Sequence, residues 1–591
     1  MVSLDRSQDK LTLKTTYIVR RIFSYVSKHK KIFVFAMFLA VLNALFSTLG
    51  VFINMTLVEL LQNSTTIDAN KVYFYASIYG VCLLLQASCN FYSGYLIQKL
   101  GNDVIFEMRN DVYEHIFSLS LAQIQAFPTG KWVTRSTNDI NSVMTFFANV
   151  LMVIFTNSLY IVFYTVAIFV MDYRLALVIL AFMIIIFLTS FYFSKESKKK
   201  NRLYRKSISN MNSFLSENIS GMETIQIFNQ EKKKYEEFCY YSKEMRDADY
   251  ASLKVFSIFR PIIYFLYVMT VLTSFIIGFF MIRDGKIDII LLYGFYQFIG
   301  YLFNPIQTIA NQFNYIQQGL TGAERVFLVT DMVPSIVDSE NPIELTSLKG
   351  KVEFKHVYFA YKGEEWILKD VSFVINPGQT VAFVGETGAG KSTIINLIVR
   401  NYDIQKGEIL IDDIPIQNIS IHSLRKLIGQ MLQDVSMFSG DIKYNISLDD
   451  EKSDIENVKK SAEFVGADGF ISHLKDGYDT VVSENGSNFS QGERQLISFA
   501  RVIYAEPQMI ILDEATSNID TESEVIIQNS LEKIKTIGTM IMVAHRLSTI
   551  RHADTIYVID KGQIAEFGSH QELLSKRGVY YNLYKVQSLD E

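Results

Sequence analysis

Six stretches in the first half of the chain carry no Asp, Glu, Lys or Arg: residues 32–58, 72–98, 140–171, 175–194, 261–282 and 289–323. Each reaches the roughly 20 apolar residues that cross a bilayer as a helix. No comparable stretch follows Lys351, so the pattern predicts six membrane helices and then a domain of strand and helix patterns outside the bilayer. The connectors alternate. Those at 59–71, 172–174 and 283–288 are short, whereas 99–139 and 195–260 are long, basic and helically patterned. The long ones are expected to prolong the membrane helices into arms. Arg6, Lys10, Lys14, Arg20, Arg21, Lys28, Lys30 and Lys31 precede the first stretch, which by the positive-inside rule puts the N-terminus, the long arms and the C-terminal domain in the cytoplasm. Tyr17, Ile18, Ile22, Phe23, Tyr25 and Val26 alternate with basic residues at helical spacing, as in a helix lying on the inner membrane surface. The expected organisation is a cytoplasmic N-terminal segment at 1–31, a transmembrane domain at 32–327, a linker at 328–350 containing Pro334 and Pro342, and a second domain at 351–591.

Composition agrees with a membrane protein and excludes other classes. Of 591 residues, 49% are hydrophobic and 20% charged, and 56 basic against 61 acidic side chains leave no basic excess for nucleic acid. Cys82, Cys89 and Cys239 offer neither a disulfide framework nor zinc-ligand spacing.

Chemistry concentrates after residue 351. A buried-strand pattern at 380–384 runs into Gly385-Glu386-Thr387-Gly388-Ala389-Gly390-Lys391-Ser392-Thr393 and then an apolar helix, which is a P-loop in its required context. Gly385, Gly388 and Gly390 let backbone N–H groups close around phosphates, Lys391 brings a cation to the β/γ oxygens, and Ser392 is placed to ligate Mg²⁺. The apolar run Met509 to Leu512 ends in Asp513 and Glu514, which would turn one carboxylate toward the metal and the other toward the attacking water.

These residues resemble the ATP-binding cassette (ABC) transporters of exporter type over nearly the whole chain. The resemblance implies an α-helical six-span transmembrane domain fused to a C-terminal α/β P-loop ATPase domain, the exporter-type (type IV) ABC fold, in the cytoplasmic membrane. It also implies roles at single positions. Tyr361 corresponds to the aromatic that stacks on adenine, Gln433 to the metal-sensing Q-loop residue, Ser490 and Gly492 to the signature motif, Asp520 to the D-loop, and His545 to the switch histidine. Residues 107–118 and 221–231 resemble the coupling helices that dock on nucleotide domains, and Phe127, Gly130, Arg135, Asn138 and Asp139 resemble the exporter pattern before the third span. ATP and Mg²⁺ are the implied cofactors.

The family's signature is Leu-Ser-Gly-Gly-Gln, whereas this chain has Phe489-Ser490-Gln491-Gly492-Glu493. Gln491 adds a side chain where backbone approaches phosphate, and Glu493 adds negative charge near an anion site. The P-loop, Asp513, Glu514 and His545 are intact, so the departure affects the site that this signature completes on a second subunit. That asymmetry resembles heterodimeric bacterial multidrug exporters and implies a non-identical partner with a regular signature and an altered catalytic carboxylate. A homodimer is the alternative.

With no charge inside the six stretches, ATP is the expected power source. The last stretch mixes Tyr293, Phe295, Tyr296, Gln297, Phe298, Tyr301, Phe303, Asn304, Gln307, Asn311, Gln312, Asn314 and Tyr315, which suits a cavity for amphipathic drugs, lipids or peptides. Asn304-Pro305 is expected to interrupt the helix hydrogen-bond ladder. Uptake through the same fold, for example of a metal chelate, is the other reading of the direction of transport.

Overall fold

The computed structural model describes residues 13–63, 68–432, 435–448, 454–513, 521–543 and 550–590. The chain divides into two units, Met1–Ser118 with Phe127–Met332, and Leu119–Ala126 with Val333–Glu591.

The first unit is helical, and six of its helices are long and apolar enough to cross a membrane. In chain order the helices of this part of the chain are α1 (Thr15–Lys28), α2 (Lys30–Asn63), α3 (Ala69–Ser118), then α4 (Leu121–Gln125), which belongs to the second unit, α5 (Thr129–Thr134), α6 (Ile140–Met144), α7 (Met152–Met171), α8 (Tyr173–Ser220), α9 (Met222–Ile227), α10 (Glu231–Arg283) and α11 (Ile289–Thr330). Two π-helical stretches, Arg135–Asp139 and Thr145–Leu151, join α5, α6 and α7 into the third crossing. The arms expected from the long connectors are present: α3 has 50 residues and α10 has 53. At 1.5 Å per residue such helices run about 75–80 Å, far beyond a hydrocarbon core.

Sequence explains where these helices start and stop. Asp172 adopts an extended conformation and its carboxylate accepts the N–H groups of Arg174 at 2.8 Å and Leu175 at 3.3 Å, so one residue ends α7 and caps α8. Ile18, Ile22 and Val26 form the buried stripe of α1. Polar contacts fix that helix: Tyr25 Oη to Asp111 at 2.9 Å, Lys28 Nζ to Glu107 at 2.7 Å, and Arg21 to Asp331. Tyr164, Ile168, Leu175, Ile179, Phe295 and Phe298 belong to one buried core among the helices.

Two expectations change. Residues 107–118 are no separate helix, because the buried stripe Leu100, Val104, Met108 and Val112 carries α3 on to Ser118. The short helix after it is α4. It starts at Ser120, whose hydroxyl accepts the Gln123 N–H while Gln123 Oε1 accepts the Ser120 N–H, a reciprocal capping box. The second expected short helix exists as α9, within residues 221–231. α11 runs through Pro305 as one helix, and Phe295 and Phe298 are fully buried core side chains, not cavity lining.

The second unit contains β1 (Val352–Phe359), β2 (Leu368–Ile375), β3 (Thr380–Val384), α12 (Lys391–Ile398), β4 (Lys406–Ile411), β5 (Ile414–Pro415), α13 (Ile421–Leu427), β6 (Ile428–Met431), β7 (Gly440–Asp441), α14 (Ile442–Ser447), α15 (Ile455–Phe464), α16 (Asp468–Ile471), β8 (Val481–Val482), α17 (Gln491–Tyr504), β9 (Met509–Asp513), α18 (Thr521–Ile534), β10 (Thr539–Val543), β11 (Thr555–Asp560), β12 (Gln563–Gly568), α19 (His570–Lys576) and α20 (Val579–Asp590). The main sheet has the order β12-β11-β3-β10-β9-β6, with β3, β10, β9, β6 and β11 parallel, and a second sheet, β2-β1-β4-β5, is antiparallel. Successive strand residues face opposite sides. Ala382, Val384, Ile510, Leu512, Met540 and Met542 therefore pack in one core with α17, while Val381, Phe383, Ile511 and Ile541 pack in the other with α12. Burial on both faces is why these strands read as unbroken apolar runs.

Candidate ATP site

β3 delivers the chain to the P-loop at the sheet edge where β10 and β9 also end, with Phe383 opposite Val543 and Val543 opposite Asp513. Two glycines are required by the turn. A Cβ on Gly385 would collide with the Ile559 carbonyl, and Gly390, the N-cap of α12, sits at φ 110°, where a side chain would also press on Leu368. Gly388 lies between them at φ 85°.

Lys391 opens α12 and is almost wholly buried. Its ammonium donates to the carbonyls of Gly385 at 2.7 Å and Glu386 at 3.0 Å. A buried cation needs acceptors. The loop's own carbonyls serve here, curling the loop around the charge so that a polyphosphate meets a formed cradle at a helix N-terminus.

Beside it, Ser392 Oγ donates to Asp513 Oδ1 at 3.2 Å, although the two residues lie 121 positions apart in sequence. A hydroxyl and a carboxylate converging at a phosphate-binding turn form a hard oxygen donor pair, which fits Mg²⁺. Thr393 is buried and bonded through Oγ1 to the Tyr361 hydroxyl at 3.0 Å. The Tyr361 ring is 46% exposed and stands edge-on to Phe359 (4.9 Å between centroids, 86°) and Tyr402 (5.0 Å, 85°). An aromatic held by its neighbours' edges and still open to solvent can stack on a base.

Sequence reasoning missed Tyr402. Its hydroxyl donates to Gln125 of α4 at 3.3 Å, and burial, followed by the neighbouring Tyr361, pushes its phenol above the ordinary value, so it remains a donor. Within α4, Gln123 Nε2 donates to the Val333 carbonyl at 2.9 Å and its Oε1 accepts the Ser335 N–H at 3.0 Å. No motif marks Tyr402, but Ser120-Leu121-Ala122-Gln123 is a capping-box spacing that would have located α4.

The signature begins α17. Ser490 is its exposed N-cap, Gly492 is buried in its first turn, and Glu493 Oε2 accepts the Ser490 N–H at 2.8 Å while Ser490 Oγ accepts the Glu493 N–H at 3.2 Å. Gln433, Glu514, Asp520 and His545 lie outside the described residues. Among the described residues no cluster of three or more His, Cys, Asp or Glu side chains could hold a metal ion.

In the first unit, Asp139 is buried, accepts Arg135 Nη1 at 3.0 Å and faces Arg325 Nη1 at 3.5 Å. A groove of about 510 Å³ between α10 and α11 is lined by Phe275, Phe279, Tyr293 and Tyr296 among others. The last helix thus divides its polar and aromatic residues between core and accessible surface.

Residues 32–306 match the family described as ABC transporter transmembrane region, and residues 368–517 match that described as ABC transporter. The "Probable multidrug resistance ABC transporter ATP-binding/permease protein YheH" of Bacillus subtilis is 38% identical over 86% of this chain and 76% of its own length. The chain belongs to the ABC transporters. An ATP-dependent lipid A-core flippase of Syntrophus aciditrophicus is 32% identical over 85% of this chain and 84% of its own. Among solved structures, a bacterial Atm1-family ABC exporter with ATP bound superposes with a TM-score of 0.78 at 26% identity, over 94% of this chain and 98% of the other. This ABC transporter is a fused membrane and ATPase chain of exporter fold, binds ATP, couples its hydrolysis to transport, and works as a half-transporter within a dimer in the membrane.

Proposed function

We propose that the chain is the catalytically intact half of a heterodimeric exporter that moves amphipathic or hydrophobic compounds, such as drugs, lipids or peptides, out across the cytoplasmic membrane. The observation that carries the reading is the pairing of a formed phosphate cradle, Lys391 with Ser392 and Asp513, with a signature whose first turn bears Gln491 and Glu493. The first makes the chain's own ATP site complete. The second weakens the site it completes on its partner.

ATP binds with its base on Tyr361 and its phosphates over the P-loop. Ser392 and Asp513, with Gln433 as the expected further ligand, would hold Mg²⁺, which would offset phosphate charge there. Lys391 exchanges the loop carbonyls for phosphate oxygens and keeps its charge on the transferred group. Glu514 orients or activates water, His545 steadies the γ-phosphate, and Asp520 together with the partner's signature helix closes the site. Closure must favour the outward-open state by about 5.5 kcal/mol to reverse a 1:99 population, a demand that charge-assisted phosphate contacts at two sandwiched nucleotides can meet. Both termini face the cytoplasm, and residues 328–350 link the membrane domain at 32–327 to the ATPase domain at 351–591.

The multidrug designation of the Bacillus subtilis relative and the aromatic groove between α10 and α11 support an amphipathic cargo. The test is reconstitution. Co-purification from native membranes is expected to bring down a second, non-identical half-transporter, and the pair in inside-out vesicles is expected to accumulate a lipophilic dye when given ATP. Full ATPase and transport from this chain alone would refute the heterodimer, and dye leaving the vesicle lumen would reverse the direction.

A further inference from the structure

Charge is spread unevenly over the extensions of the long helices beyond their apolar runs. On α3, residues 99–118 carry two Lys or Arg against four Asp or Glu, and on α10, residues 231–260 carry seven against six. On α8, residues 195–206 carry seven against the single acid Glu196. Other cations of this unit are neutralised in pairs, Lys28 with Glu107, Arg135 with Asp139 and Lys234 with Glu237. Lys195, Lys198, Lys199, Arg205 and Lys206 are exposed, and none of the five forms an ion pair among the described residues.

These cations continue an apolar face. Lys195, Lys199 and Lys206 recur at helical spacing, and Leu177, Ile184, Leu188 and Phe191 stand on the same side of α8 in the turns before them, each more than half exposed. The buried residues Ile179, Ile186, Ser190 and Ser197 lie on the opposite side. The uncharged run at 175–194 is about 30 Å long as a helix, the thickness of the hydrocarbon core, so Lys195 stands where hydrocarbon gives way to headgroups. Arg260 of α10 is exposed at the same level, because its neighbour Phe259 meets Phe193 with 5.1 Å between ring centroids.

We infer that this face of α8 binds anionic phospholipid of the bilayer, with acyl chains along Leu188 and Phe191 and the headgroup on Lys195, Lys198 and Lys199. In the orientation proposed above, the lipid belongs to the cytoplasmic leaflet. The three lysines rise through about 6 Å, the depth of a headgroup layer. Arg205 and Lys206 end about 17 Å beyond the hydrocarbon, roughly one Debye length past that layer, and add a weaker long-range attraction. The positive-inside rule accounts for an excess of cations on one side of the bilayer, but it is indifferent to which helix carries them and which way they face. Unpaired lysines directly below an exposed apolar stripe favour a net negative headgroup over a zwitterionic one.

The test uses the full-length transporter assembly with p-benzoylphenylalanine in place of Phe191, in nanodiscs of equimolar phosphatidylglycerol and phosphatidylcholine with identical acyl chains. Irradiation joins the ring to its neighbour, and mass spectrometry identifies what was captured. Phosphatidylglycerol adducts are expected to outnumber phosphatidylcholine adducts about fivefold, the worth of one lysine at headgroup level, and added salt should shrink the ratio. Lys195→Gln, Lys198→Gln and Lys199→Gln together are expected to bring the two lipids to parity without lowering the melting temperature. Lys195→Arg, Lys198→Arg and Lys199→Arg together should keep the preference, and Lys232→Gln with Lys233→Gln on α10 should leave it untouched. Equal capture of both lipids by the wild type, a preference that survives the glutamine variant, loss of it in the arginine variant, or an equal loss in the α10 control would each overturn the assignment. Capture of the partner half in place of lipid would also overturn it and assign the face to the interface between halves. The measurement uses no ATP and a bilayer alike on both sides, so its result is independent of the direction of export and of which end is cytoplasmic.

Discussion

Glu493 folds back onto Ser490, each accepting the other's backbone N–H, at 2.8 and 3.2 Å. The residue that departs from the family's signature is thus also the residue that caps its helix. Glutamine makes the same box, so Glu493→Gln separates charge from cap. We expect the variant to keep its melting temperature and to tighten ATP occlusion at the partner's site by up to about fivefold, the worth of removing one opposing charge at roughly 1 kcal/mol. Glu493→Ala should lose about 1 kcal/mol of stability through the cap. Nucleotide-trapping assays and thermal melts of both variants check this.

Lys391 is buried against two loop carbonyls, so its loss strikes the loop as well as the ligand. Lys391→Ala is expected to reduce ATP binding on the order of 100-fold while the protein still folds and inserts. Filter binding with labelled ATP, together with size-exclusion behaviour in detergent, reads both parts.

The hydroxyl–carboxylate contact between Ser392 and Asp513 predicts a metal-dependent defect. Ser392→Ala should shift the Mg²⁺ midpoint of the ATPase upward about tenfold and leave metal-free nucleotide binding nearly unchanged, because it removes one oxygen ligand and nothing from the Lys391 cradle. A Mg²⁺ titration at saturating ATP would expose the opposite case, in which binding falls equally with and without metal.

Tyr361 offers a ring and a hydroxyl with separable uses. Tyr361→Phe loses only the bond to Thr393 and should stay within about threefold of wild type. Tyr361→Ala loses the stacking face and should raise the KM for ATP about tenfold or more, with kcat little changed. Equal effects of the two substitutions on KM would exclude stacking as the ring's role.

His570 predicts a pH effect on the ATPase unit. Its Nδ1 is hydrogen-bonded to the Tyr580 hydroxyl at 2.7 Å, and burial, aided by the Arg551 charge, holds the imidazole below its ordinary value. The unfolded chain therefore takes up the proton first. The stability from a neutral His570 is complete above about pH 6.5 and is lost as pH falls through the folded-state value. Melting temperatures of the full chain should drop between pH 7.5 and pH 5 more steeply than those of His570→Gln.

The six crossings were legible because charge is excluded from hydrocarbon at every position, a constraint that needs no tertiary information. The P-loop was equally legible, since its glycines answer to local backbone geometry. What stayed hidden depended on partners far along the chain. Tyr402 has no motif of its own and gains its meaning only from Tyr361 and Gln125. Phe295 and Phe298 looked like cavity lining because composition cannot say which side of a helix meets its neighbours, and both are buried. The first short connecting helix lies one element later than the sequence pattern suggests because amphipathic periodicity does not announce the end of α3, whereas the reciprocal bonds of Ser120 and Gln123 do announce the start of α4.

Leu119–Ala126 belong to the ATPase body although the helical unit flanks them on both sides in sequence. The polypeptide passes from one body to the other three times, at Ser118, at Ala126 and at Met332. A fragment cut to begin at Val333 would thus lack eight of its own residues and would expose the backbone at Val333 and Ser335 that Gln123 normally occupies. Biochemists who wish to handle the motor by itself should supply that octapeptide in trans or splice it onto the fragment's N-terminus.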